Sequence, residues 1–226
     1  MRRIIMMAAT LLAVLCTQAQ DDVVAPPTMP ETTVTNDEVG ATYIKPLIGA
    51  TFSRPLADDT NGISGKWGLT VGGELMRRTS KYVGFSLGAI YSQQGYEVKG
   101  TTGTKMNINY LNFPLLMNVY LADEICLKGG VQLGVLLNAE ASAKADNPLG
   151  SYVDIDMSSA HRSTDWSLPV AVCITTEIGV EFEFRYAYGI SSFEKNRITF
   201  QGQTINNDDP AHNSVFSLTV GYRFKL

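Results

Sequence analysis

The sequence predicts an all-β fold, an eight-stranded antiparallel up-and-down transmembrane β-barrel. Three observations lead there. From Ala41 onward the chain falls into eight stretches in which apolar and polar residues alternate. The connections between them alternate short and long. The apolar face carries aromatic residues at one end, while the polar face is rich in glycine and serine. Side chains alternate across a strand, so each stretch has one greasy and one polar side.

The first stretch is Ile44, Pro46, Ile48, Ala50 and Phe52; the second is Trp67, Leu69, Val71, Gly73 and Leu75. Val83, Phe85, Leu87, Ala89 and Tyr91 make the third, and Leu111, Phe113, Leu115, Met117 and Val119 the fourth. The fifth runs Leu127, Gly129, Val131, Leu133, Val135 and Leu137; the sixth runs Trp166, Leu168, Val170, Val172 and Ile174. Val180, Phe182, Phe184, Tyr186 and Tyr188 form the seventh. The eighth closes the chain as VFSLTVGYRFKL, with Phe216, Leu218, Val220, Tyr222, Phe224 and Leu226 on one side. Lengths of about ten residues match a tilted strand crossing a bilayer.

Short links, MRRTSK, LADE and TEIG, alternate with long ones near 53–65, 93–106, 139–164 and 190–213. Short periplasmic turns and longer outer loops are the pattern of outer-membrane barrels. Both termini then face the periplasm.

Alternation alone fits a soluble barrel too, so the two faces must be told apart. The polar face reads Gly68, Thr70, Gly72 in the second stretch and Gly84, Ser86, Gly88 in the third. Glycine weakens a strand and has no value on a solvated surface, but small residues fit a narrow interior. Trp67, Tyr91, Trp166 and Tyr188 share the greasy face at the long-loop ends, where an interfacial aromatic girdle belongs. The greasy face therefore meets lipid.

The same parity sends Lys45, Glu74, Lys128, Glu181, Glu183, Arg185 and Arg223 into the lumen, four positive and three negative. Buried charges persist when paired. A lumen charge network that plugs the barrel is the expected outcome; a proton or ion path is the alternative.

The first 19 residues have Arg2 and Arg3, an apolar run from Ile4 to Cys16 and a small-residue site at Thr17-Gln18-Ala19. They read as a secretory signal peptide. Leu15 stands where lipidation of Cys16 would need a small residue. Residues 20–40, rich in Pro, Thr and acids, read as a flexible periplasmic leader, and 41–226 as the barrel. Net charge is −4, which gives no reason to expect nucleic acid.

Cys126 and Cys173 remain after the signal, and export permits oxidation. Both fall on the lumen face near the short-turn ends of neighbouring strands. They are candidates for a cross-strand disulfide, with two separate buried thiols as the alternative. Tyr222 and Phe224 place aromatics at the C-terminal end of the lipid face, resembling the assembly signal read by barrel-insertion machinery.

No metal, nucleotide or phosphate-loop motif appears, and no cofactor is expected. His161 and Ser163 resemble the His-x-Ser pair of lipid A deacylases, outer-membrane enzymes that modify lipid. Strand parity turns them inward, however, and the nearby acid Glu177 lies at the opposite membrane edge, so a nucleophile, base and orienting acid do not meet. His212 reads as a solvated loop residue.

FSLGAIYSQQGYEV, NINYLNFPLLMNVYL, LKGGVQLGVLLNAE, EFEFRYAYGIS and VFSLTVGYRF resemble, in order and spacing, the PorT-like outer-membrane β-barrel family of Bacteroidota. The resemblance covers about residues 41–226 and is sharpest at Tyr91–Gly95, Tyr110–Leu116 and Gly221–Phe224. It implies the barrel fold and a cell outer membrane location, and the family's namesake supports protein secretion and surface display; the expected function is a non-enzymatic accessory, anchor or surface-loop binder, with a lipid A deacylase-like lipid-modifying enzyme as the alternative. Partners implied are outer-membrane lipid, the insertion machinery and envelope or secretion proteins met through loops. It offers no catalytic residues.

Overall fold

The structure, a computed structural model, describes residues 38–56, 63–98, 104–144, 152–156, 163–192, 197–200, 203–206 and 212–226. The expected signal peptide, most of the expected leader, and His161 lie outside them. The described residues belong to one unit, Thr33–Leu226.

The strands are β1 (Thr42–Leu56), β2 (Ile63–Arg78), β3 (Val83–Val98), β4 (Thr104–Tyr120), β5 (Ile125–Lys144), β6 (Tyr152–Asp156), β7 (Thr164–Thr175), β8 (Val180–Ser192), β9 (Arg197–Phe200), β10 (Gln203–Asn206), β11 (His212–Tyr222) and β12 (Phe224–Lys225). Neighbours pair antiparallel in the order β1-β2-β3-β4-β5-β7-β8-β11, and β11 pairs back to β1. The result is a closed eight-stranded barrel, with β12 continuing the last strand. Closure removes the sheet edges and satisfies the backbone inside lipid.

The eight alternating stretches map onto β1, β2, β3, β4, β5, β7, β8 and β11. Their greasy residues point outward: Ile48, Leu69, Leu87, Leu115, Val131, Val170, Phe184 and Leu218 are all exposed. Side chains on the polar face between them, such as Thr51, Thr70, Ser86, Asn112, Lys128 and Thr219, are buried. A soluble fold would reverse this.

The strands differ from expectation in length. They run 11–20 residues in the barrel wall, well past the ten or so that cross a bilayer. Residues 93–98 and 104–106, read as loop from the sequence, are strand, with Gln93 paired to Asn109 and Glu97 to Lys105. Above the membrane a ladder needs backbone pairing but no apolar face, so the hydrophobic pattern ends before the strand does. The short strands β6, β9 and β10 were likewise invisible inside long loops.

The narrow barrel coils tightly, and glycine permits it. A Cβ on Gly72 would lie 2.3 Å from the Ala89 carbonyl oxygen, and one on Gly130 would lie 2.1 Å from that of Leu115. Any side chain at either position would force the neighbouring backbone away.

The seam between first and last strands has a local break. Pairing runs through Ile44↔Phe224, resumes at Leu47↔Gly221, and is interrupted where Pro46 has no N–H to give. On the other side of the strand the Arg223 N–H donates to the Gly179 carbonyl at 2.9 Å, extending the β8–β11 ladder past Tyr222↔Val180. β12 therefore anchors the N-terminal end of β1. Deleting Arg223 to Leu226 keeps the β11–β1 ladder but removes the β12 end of the seam and the outward Phe224, and is expected to give periplasmic, protease-sensitive protein. Normal levels of protease-resistant, heat-modifiable barrel in membranes would show that the tail is dispensable.

Candidate functional site: the ion cluster in the lumen

The pairing of β1 with β2 sets Lys45 opposite Glu74, and both point inward. β5 supplies Lys128, and β8 supplies Glu181, Glu183 and Arg185 at successive inward positions. All six side chains are buried. Lys128 Nζ donates to Glu74 Oε2 at 3.0 Å, Glu181 Oε1 at 3.0 Å and Glu183 Oε2 at 2.8 Å. Three ammonium protons thus meet three carboxylates. Lys45 Nζ contacts the same three carboxylates, at 2.8 Å, 2.8 Å and 2.9 Å. Arg185 caps the group, its Nε donating to Glu183 Oε1 at 2.6 Å and its Nη2 bonding Glu74.

Three cations and three carboxylates form a neutral core. Charges this deep are tolerable because every one is paired, and salt screens them little. Arg223 sits apart on the short-turn side. Its guanidinium stacks over Tyr43 at 4.5 Å, and its Nε and Nη2 stay 3.9 Å from Glu181 and Glu38. The expected seven-charge set is therefore six in tight contact and one at the rim.

A second ionic contact was missed from the sequence. Arg78 is fully buried beneath the β2–β3 turn, pairs with Glu38 at 2.7 Å and Asp123 at 3.1 Å, and lies over the Tyr120 ring at 4.3 Å. The Gly40 N–H also donates to the Arg78 carbonyl at 2.8 Å. The end of the segment read as a flexible leader is thus joined to the barrel. Arg78 shares the parity of Glu74 and Met76, and that was the available signal.

Trp67 and Trp166 are exposed on the outer wall, Tyr188 is at the edge of exposure and Tyr91 is half-buried. Tyr91 donates its hydroxyl to Asn109 at 3.0 Å. Tyr222 and Phe224 face outward with their rings 4.6 Å apart. Cys126 and Cys173 are register partners across β5 and β7. The disulfide considered from the sequence is not formed, and both thiols are free. Cys173 donates to Glu183 Oε2 and Cys126 to the Leu127 carbonyl, each at 3.5 Å, so the sulfurs are engaged with different acceptors.

His212 is not in a loop. It begins β11, is half-buried, and stacks on Tyr188 at 6.2 Å. Nearby, Ser191 donates to Asp165 at 2.6 Å and accepts from the Trp166 N–H at 2.7 Å. This hydroxyl is held by the acid itself, with no base between them. Ser163, which strand parity placed inward, is instead exposed, because it lies in the bend just before β7, where the alternation has not begun.

Residues 7–224 match the model of the outer membrane protein β-barrel domain. The chain belongs to that family. This outer membrane β-barrel is at home in the outer membrane, as its exposed greasy wall requires. No curated protein matches it. Among solved structures, OprG of Pseudomonas aeruginosa is 16% identical, with 84% of this chain and 98% of that one covered and a TM-score of 0.50. Ail of Yersinia pestis, solved with the heparin analogue sucrose octasulfate, is 15% identical over 82% of this chain and 99% of that one, at a TM-score of 0.47. Neisserial surface protein A is 15% identical over 82% and 99%, at 0.43. At these identities the likeness to OprG speaks for the fold alone.

Proposed function

We propose that this barrel is a non-enzymatic, PorT-like protein of a Bacteroidota outer membrane, an accessory that supports protein secretion or surface display. The observation that carries the reading is the use of the interior. Six paired charges occupy the lumen as a structural plug, and among the described residues no nucleophile, base and acid come together. What remains for function is the surface at the two ends. The outer end has long extended strands and loops; the periplasmic end has short turns. Residues 1–19 direct export, residues 20–40 form the periplasmic leader, Trp67, Tyr91, Trp166 and Tyr188 seat the barrel at the interface, and Tyr222 and Phe224 engage the insertion machinery. A deletion strain, compared with its parent by quantitative proteomics of culture medium and cell surface, should lose a defined set of exported proteins while its lipid A masses stay unchanged. An unaltered exported and surface proteome, or a shifted lipid A mass, overturns the proposal.

A further inference from the structure

Two cysteines border the ion cluster on its periplasmic side, and neither has a part in holding the charges. Cys173 on β7 and Glu181 and Glu183 on β8 bring one sulfur and two carboxylate oxygens within 4.8 Å of one another, all buried. Cys126 on β5 is the register partner of Cys173, and such partners carry their Cβ atoms about 4.5–5.5 Å apart. Linear spacing hides the set, because its members come from three strands.

These are the donors of a zinc site. Thiolates select ions such as zinc, and carboxylates complete the tetrahedron. A sulfur and an oxygen bound to one tetrahedral zinc, at ~2.3 and ~2.1 Å from it, lie ~3.6 Å apart. Cys173 Sγ stands 3.5 Å from Glu183 Oε2, so an ion can replace the S–H proton that now lies between them. Glu181 Oε2 is loosely held, by Thr175 at 3.5 Å and Arg223 at 3.9 Å. Cys126 Sγ gives its proton to the Leu127 carbonyl at 3.5 Å, a weak bond that one χ1 rotation releases. A divalent ion that displaces two thiol protons to water leaves the net charge of the cluster unchanged.

The site has an entry path. A basin of about 360 Å³ opens at the periplasmic end, and Thr175 both lines it and donates to Glu181. Glu38, Asp123, Glu124 and Glu177 outnumber Arg223 in its wall, so it concentrates cations. We propose that Cys126, Cys173, Glu181 and Glu183 form a zinc-binding site, filled from the periplasmic side, that ties β5, β7 and β8 together. This goes beyond the accessory role and does not depend on it.

The test uses the full-length barrel in detergent micelles, kept reduced with a phosphine. Zinc or cadmium is added to the folded barrel and, separately, during folding. Elemental mass spectrometry should find one ion per barrel, and cadmium should bring the ultraviolet absorption of a metal thiolate. Zinc should raise the urea midpoint. Cys173→Ser, close in size, should bind at least tenfold more weakly, lose the absorption and keep its midpoint when zinc is added. The wild-type readings stand without the variant. A wild-type barrel that takes up no ion by either route overturns the proposal. So does equal binding by the Cys126→Ser, Cys173→Ser double variant, which would put the ion on the basin carboxylates. A Cys126–Cys173 disulfide in barrel isolated from cells overturns it as well.

Discussion

Replacing Glu183 by leucine is expected to destabilise the barrel by about 3–5 kcal/mol, the cost of stranding buried charge. Glu183 accepts from Lys45 at 2.9 Å, Lys128 at 2.8 Å and Arg185 at 2.6 Å. Without it, three cations share Glu74 and Glu181 inside a wall that keeps solvent out. The informative comparison is the double variant Glu183→Leu with Lys128→Met. It removes one charge of each sign, restores neutrality and keeps much of the volume, so it should recover most of the loss. Buried ion pairs replaced together by apolar residues are often neutral or stabilising. Urea unfolding from lipid vesicles measures both. A single variant within 1 kcal/mol of wild type, or a double variant worse than the single, would show that the cluster does not hold the barrel together.

Much of this site was legible because strand periodicity is two. Once Phe216 and Leu218 are assigned to lipid, the positions of Glu181, Glu183 and Arg185 follow by counting, and the partners come from register. The Cys126–Cys173 opposition was found the same way. Arg78 escaped because it adjoins a turn; the strand carries its inward parity through Met76 to Arg78, three residues past Leu75, where the apolar pattern ends. The upper strands escaped for a different reason. Tyr91, Asn109, Asn138 and Glu140 join in a hydrogen-bonded row on the outer wall, at 3.0 Å, 2.7 Å and 3.1 Å. Polar side chains serve there because water replaces lipid, and a hydrophobic pattern cannot report a strand that needs none. At Leu137 an extra residue enters β5, with Tyr110 pairing to Leu136 and Asn109 to Asn138. Parity inverts across that bulge, so Ala139 is buried where counting would place it outside.

Val170→Arg tests the lipid assignment at its centre. Val170 is the middle of five outward residues on β7, 56% exposed, between Gly129 and Tyr186 in the ladder. An arginine there must either lose its hydration or reach for an interface along a strand flanked by Leu168 and Val172. Cost in transmembrane barrels depends on depth, about 2–4 kcal/mol for arginine at the midplane and about 0–1 kcal/mol near the interfaces. Val170→Arg should therefore shift the folding equilibrium by roughly 30- to 700-fold at about 1.4 kcal/mol per decade. Glu140→Arg, on the outer wall above the apolar belt, should move it by less than about tenfold. Both are read by urea titration in vesicles, with heat-modifiable migration on gels as the check for a closed barrel. Equal tolerance of arginine at the two positions would mean that no apolar solvent surrounds β7, and the outward greasy face would need another explanation.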